Sequence, residues 1–200
     1  MFRRLARVEL ALFALIIASI VGITAGAVDH VHSREMDKRF KPFLNSAKLQ
    51  TIKEQANSAK YYKGNRNIIT GAKTYSFTSS DYNYFIDIPG PFNYGANGGN
   101  ISVTSIPEVD GSGRYVSDYQ FYLMIFPKDW TYHLGLTDLR TIGKVGYGGI
   151  VDKDAQPLGK YPESTEESYQ NFLKLYEKHH DEIMEMFADV KEVFGEYALR

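Results

Sequence analysis

Polar and apolar positions change their period several times along the chain, and each change predicts an element. From Leu10 to Val28 the segment LALFALIIASIVGITAGAV carries no charge and almost no polarity. At 1.5 Å per residue it makes a helix of about 28 Å, close to the hydrocarbon thickness of a bilayer. From Ser33 to Tyr62 the apolar positions Met36, Phe40, Phe43, Leu44, Ala47, Ile52, Ala56 and Ala59 recur at near-helical spacing. This predicts a second helix, kinked or restarted at Pro42 and stopped by Gly64-Asn65.

Residues 72–151 then change to a two-residue period. Tyr82, Tyr84, Ile86 and Ile88 alternate with Asn83, Phe85 and Asp87, and Ile101, Val103 and Ser105 follow. Pro107 and Asp110-Gly111-Ser112-Gly113 supply a break and a hairpin-type turn. Arg114 to Phe126 is the longest strand expected, apolar on both faces and therefore central. Tyr132, Leu134 and Leu136 alternate again, and Val145 to Val151 forms a last, glycine-rich strand. A 3.6-residue rhythm returns with Tyr169, Phe172, Leu173, Tyr176, Ile183, Phe187, Val190, Val193, Phe194 and Tyr197. Ser164-Thr165-Glu166-Glu167 before it fits a capping box with Ser164 as N-cap. The pattern predicts an α+β fold: a membrane helix, a second basic helix, an antiparallel sheet of about five to seven strands, and a long C-terminal amphipathic helix over 164–199 packed on the domain.

Charge adds an address. Arg3, Arg4 and Arg7 precede the apolar run, and Asp29 and His30 follow it. By the positive-inside rule, residues 1–9 are expected in the cytoplasm and residues 29–200 outside it. Residues 10–28 read as a transmembrane anchor or, with Ala25-Gly26-Ala27 as a small-x-small cleavage site, as a signal peptide. The anchor is favoured, because the run is long for a signal-peptide core. Residues 29–66 read as a juxtamembrane basic helix and 67–200 as the exported domain. Residues 33–66 hold nine basic and three acidic side chains, a net of +6, and residues 164–200 hold nine acidic and four basic, a net of −5. Packing of these two segments on each other is the simplest use of that difference. Anionic lipid headgroups or an acidic partner are the other uses for the basic segment.

Composition excludes several chemistries. The chain has no cysteine, so it has no disulfide, zinc-thiolate site or thiol nucleophile. Its net charge of −1 gives no pull toward nucleic acid. The 15 Tyr and 12 Phe direct attention to aromatic surfaces. Residues 89–100 are glycine-rich but match neither the phosphate-binding loop nor the dinucleotide fingerprint, since no Lys-Ser/Thr pair follows and no helix begins there. Aromatic and amide side chains around this loop are types that stack on sugar rings or peptides. Tyr82, Tyr84, Phe92, Asn93, Tyr94, Trp130 and Tyr132 are therefore the candidate ligand-binding residues, and the alternative they carry is a protein that binds or hydrolyses an envelope glycan. Glu177-x-x-His180, beside His179 and Asp181, has the spacing of carboxylate-bridged metal bundles, but no matching ligands lie on another helix. A solvated helix face is the reading there. Asp152-Lys153-Asp154 opens like a calcium loop, yet Pro157 stands where that loop needs glycine, so a turn is expected. No catalytic residue, metal ligand or cofactor site is assigned, and no nucleophile has an evident histidine partner.

Two short stretches resemble known families. The basic leader, the apolar helix and Glu9 at its start resemble type IV pilins; were the mature chain to begin at Leu5, Glu9 would be its fifth residue. That resemblance implies a filament subunit whose apolar helix packs against copies of itself. Val145-Gly-Tyr-Gly-Gly-Ile-Val-Asp-Lys-Asp is similar to the strand and Asp-containing turn of extracytoplasmic PAS-like (Cache) sensor domains, which implies a ligand-binding module. The expectation that unites these observations is a single-pass, membrane-anchored, exported protein, non-catalytic, that binds or assembles with another envelope protein or with itself.

Overall fold

The computed structural model of the protein describes residues 2–55, 63–66, 71–79, 81–91 and 98–200. Helix α1 (Phe2–Leu44) runs for 43 residues without interruption, about 64 Å at the standard rise. The expected anchor and the start of the expected second helix are thus one element. The physical reason is visible at Asp29-His30-Val31-His32-Ser33: charge and polarity enter the helix there, but no glycine or proline does. Pro42 falls in the last turn, and the helix ends two residues later. Helix α2 (Ala47–Gln55) restarts after Ser46, whose Oγ accepts from the Leu49 N–H at 3.2 Å. The remainder of the expected second helix, residues 56–62, lies outside the described residues. Gly64 and Asn65, read as a helix stop, lie instead in the first strand.

Eight strands follow in one antiparallel sheet: β1 (Lys63–Arg66), β2 (Lys73–Thr78), β3 (Tyr82–Ile88), β4 (Asn100–Ser105), β5 (Tyr119–Phe126), β6 (Thr131–Asp138), β7 (Gly146–Val151) and β8 (Pro157–Lys160). They lie in chain order, so every strand pairs with its neighbours in sequence. The sheet is thus built by connections between consecutive strands alone. In β5 burial alternates strictly, with Tyr119, Phe121, Leu123 and Ile125 turned to the core. The expected strand began at Arg114, but the first residues of that run leave the sheet. Val109 and Tyr115 bridge each other across a separate arm, and the Asp110 carboxylate at its tip accepts the N–H groups of Ser112 and Arg114. Tyr115 and Val116 are consequently exposed.

Two helices, not one, complete the chain: α3 (Glu166–Lys178) and α4 (His180–Phe194). The cap of α3 is Thr165, one residue later than expected, with its Oγ1 accepting from the Ser168 N–H at 3.1 Å. His179 separates the helices with a non-helical ψ of 26°. Phe172, Ile183, Phe187 and Phe194 join Leu123, Ile125, Leu134 and Leu136 in the core. The opposite charges meet where α2 packs on α4, and Lys48 pairs there with Glu192.

The end of α1 is seated in the same core. Phe40 and Phe43 are fully buried. The Phe43 ring lies 5.1 Å from Tyr197, 5.5 Å from Phe194 and 6.3 Å from Trp130. Gly99, at φ +82°, makes room for Phe40, since a Cβ there would stand 2.7 Å from the ring and 2.5 Å from the Asp87 carbonyl oxygen. Two tethers add to this seat: His32 Nε2 lies 2.7 Å from the Pro89 carbonyl oxygen, and Arg39 Nη1 donates to the Gly98 carbonyl at 2.9 Å. Before the domain, the side chains of α1 from residue 12 to residue 24 are all exposed. Its most apolar stretch reaches a mean hydropathy of 2.1 with none of it buried, and is long and apolar enough to cross a membrane.

Candidate functional site

The described aromatic residues singled out from the sequence do not gather around one cavity. Tyr84 is fully buried, stacked on Phe77 at 4.6 Å, with its ring edge-on to Phe194. The Tyr132 hydroxyl donates to the Arg200 carbonyl at 3.0 Å and accepts from the Arg200 N–H at 2.8 Å, which fastens the C-terminus to β6. Trp130, at φ 59° in the β5–β6 turn, packs between Phe43 and Tyr197 under the Arg200 guanidinium. The faces of these three rings are taken by the protein's own core, which a two-residue period does not distinguish from a ligand platform. Phe92, Asn93 and Tyr94 lie outside the described residues. Tyr82, by contrast, lines a cavity.

That cavity, of about 270 Å³, opens at one end of the sheet. The β2–β3 turn brings Asp81 and Tyr82 to it, and the arm before β5 brings Ser117, Asp118 and Tyr119. The break between α3 and α4 brings His179, Glu182 and Glu185. His179 lies three residues after Tyr176 and four before Ile183, on the apolar face that the helical period already sets, and it is 9% exposed. Its ring stands edge-on to Tyr119 at 5.0 Å and Phe121 at 5.5 Å. Nδ1 faces the Glu182 carboxylate at 3.3 Å, and Nε2 is buried with no hydrogen-bond partner. A buried polar atom left in that state costs about 1–3 kcal/mol, so it marks either strain or a missing partner. The reading of 177–181 as a solvated face therefore fails at His179, while Glu177 and Asp181 are exposed as expected.

Charge divides the cavity. Tyr82 sits among carboxylates, and its hydroxyl is pushed up to about 12 by burial first and then by Asp189, Glu185 and Asp81. At Tyr119 the balance differs. The Arg140 guanidinium donates to the Tyr119 hydroxyl at 2.8 Å and to Asp118 at 3.2 Å, and Lys178 lies 3.9 Å from Asp118. Burial opposes ionisation of Asp138, but the hydrogen bonds from Arg140 outweigh it and hold that carboxyl below its ordinary range. Neither cavity serine is arranged as a nucleophile. Ser105 Oγ accepts from the Phe121 N–H at 2.9 Å, and Ser117 Oγ accepts from the Glu108 N–H at 3.2 Å. Both hydroxyls hold backbone, and neither meets His179 Nε2. The Asp152 turn is likewise closed on itself, its carboxylate accepting the N–H groups of Asp154 and Gln156.

The Asp, Glu and His residues of the cavity come from three separate segments, brought together by hairpin order and the packing of the C-terminal helices. In the sequence the available signal was the position of His179, three residues after Tyr176 and four before Ile183 on the apolar stripe. Compared with known proteins, the chain matches no family model, no curated protein and no solved structure.

Proposed function

We propose that this chain is a single-pass membrane protein, N-terminus in the cytoplasm, whose exported domain is a non-catalytic binding or assembly component of the cell envelope. One observation carries the reading: a single unbroken helix has its first part bare and apolar and its last part sealed in the domain core. Ile16, Ile17, Ile20 and Ile23 are all exposed, Ile23 to 72%. With Leu15 and Val21, also exposed, they put apolar side chains on every side of the helix, and such a girdle needs cover, which a bilayer supplies. The arginines before it favour the N-in orientation. The cavity supports binding over catalysis, because its hydroxyls are engaged by backbone groups and no nucleophile–base pair stands in it.

Membrane fractionation of the full chain tests this. The chain should stay with membranes through alkaline extraction, its domain should be cut by protease added from outside, and its intact mass should begin at Met1. Ile17→Asp, at the middle of the apolar run, costs about 3 kcal/mol of insertion and should move the chain out of the membrane fraction. A soluble chain starting at Val28 would refute the anchor. A chain starting at Leu5 in sedimentable filaments would establish instead the pilin-like reading, which the bare apolar half of α1 favours as a surface for copies of itself.

A further inference from the structure

We propose that the sheet face turned away from the helices binds an uncharged, ribbon-like glycan, an inference that rests on reading the domain as a binding component. Helix α3 packs on the other face, where Phe172 lies against Gly149. Inward and outward residues alternate along each strand, so the pairing register fixes the outward set. No side chain of that set is buried over β2 to β7. The open face of an antiparallel sheet ordinarily carries polar and charged residues. Here, in a chain that is 24% charged, Asp87 and His133 are the only acidic or basic side chains on those six strands that point outward. Thr74 Oγ1 donates to the Asp87 carboxylate at 2.7 Å, and burial pushes the His133 imidazole down, toward its neutral form. A charged partner gains nothing from such a face.

What the face carries instead suits sugar. Two rings lie along it, each over a glycine. Tyr122 of β5 reaches over Gly135 of β6, where a Cβ would collide with the ring. Tyr161, just after β8, reaches over Gly148 of β7, where a Cβ would stand 2.5 Å from the ring. Gly135 and Gly148 pair directly, so the two phenols share one shelf, and the Tyr161 hydroxyl fastens it by donating to the Leu134 carbonyl at 2.8 Å. His133 extends the shelf, 4.9 Å from Tyr161 and 4.9 Å from Phe126. On β3 the Phe85 ring is 39% exposed in mid-strand, and its partners on the two neighbouring strands are serines, Ser76 and Ser102, too short to cover it. Hydroxyl and amide groups lie between the β3 ring and the β5 ring: Thr104 faces Asn83 on one side and Tyr122 on the other. Ring faces take the C–H groups of a pyranose, and amides and hydroxyls bond its O–H groups. A β-1,4-linked chain, extended and flat, presents both along a straight course, as the sheet does.

The full chain, in a detergent without a sugar headgroup, is titrated calorimetrically with cellohexaose and with chitohexaose. Maltohexaose, which coils, and oligogalacturonate, which is anionic, are the controls. Saturable binding of at least one flat chain is expected, and neither control should match it. Phe85→Ala should weaken binding about threefold to tenfold and leave the melting temperature within about 1 °C, since the ring is exposed. Ser102→Glu sets a bulky carboxylate between Phe85 and Met124 and should weaken it at least about tenfold. Ile142→Ala, fully exposed before β7 and off this face, should change nothing. Absence of saturable binding by both flat chains, undiminished affinity in Phe85→Ala or Ser102→Glu, or equal binding of either control overturns the proposal. Dimers that Ser102→Glu dissociates, formed without any glycan binding, would assign the face to a second copy of the chain and overturn it equally. Failure here leaves the membrane anchoring intact, and failure of anchoring leaves the titration readable.

Discussion

The two ends of α1 share a backbone and a taste for large apolar residues, yet they meet opposite environments. Leu12 to Ile23 present apolar side chains on every side and none of them is buried. From Met36 onward only one stripe is apolar, Met36, Phe40 and Phe43, and that stripe is buried while Asp37, Lys38 and Lys41 face out. The lesson is that apolar content does not decide where a helical segment goes; its angular distribution does. A full girdle requires a surrounding medium, and a stripe requires a single wall.

The sharpest test of this contrast substitutes one residue in each part. Phe43→Ala empties the centre of an aromatic cluster and should cost about 3–5 kcal/mol, lowering the melting temperature by about 10 °C. Ile20→Ala, in detergent, should leave that temperature within about 1 °C, because nothing in the domain touches Ile20. Equal effects would erase the distinction. A middle-sized effect is expected at the junction, where His32 reaches the Pro89 carbonyl. His32→Ala should cost about 1 kcal/mol in thermal unfolding, and no change would mean that the domain begins only at Met36.

The smallest effect concerns how α2 and α4 hold the buried end. Asp189 on α4 is pushed up to about 6 from 3.8, by burial first and then by Glu192 and Asp81, with Lys48 opposing. Between those two values the folded chain retains a proton that the unfolded chain has released, so stability falls as pH rises through that window and is level above it. Asp189 is only half-buried, so the slope is shallow. Asp189→Asn should flatten it and raise the melting temperature near neutral pH by about 2 °C. A melting profile with the same slope in the variant would assign the pH dependence to another group.

Much of the architecture was legible. The apolar girdle, the two-residue alternation of β3, β5 and β6, and the amphipathic rhythm after Thr165 each follow from periods that neighbouring residues impose on one another. Element ends were less so. The strand expected from Arg114 begins at Tyr119, because Val109 pairs with Tyr115 and draws the chain off as an arm. The C-terminal helix is two helices because His179 leaves the helical path, and no glycine or proline announces it. The candidate site was least legible. Tyr84, Trp130 and Tyr132 satisfy the same alternation whether a ring faces a ligand or the core, and the acceptor cavity draws on Asp81, Asp118 and Glu182, which lie far apart in the chain.

By itself, then, the sequence determined the local periods, the α+β class, the apolar helix and the opposite charges that meet as α2 packs on α4. These are properties of residues a few positions apart. Only the tertiary structure decided that the apolar helix and the domain's first packed turns are one continuous rod. It alone broke the C-terminal helix at His179 and gathered carboxylates from a hairpin turn, an arm and a helix break around one cavity. Proximity between distant segments depends on how hairpins stack and helices cross, and no single segment encodes that.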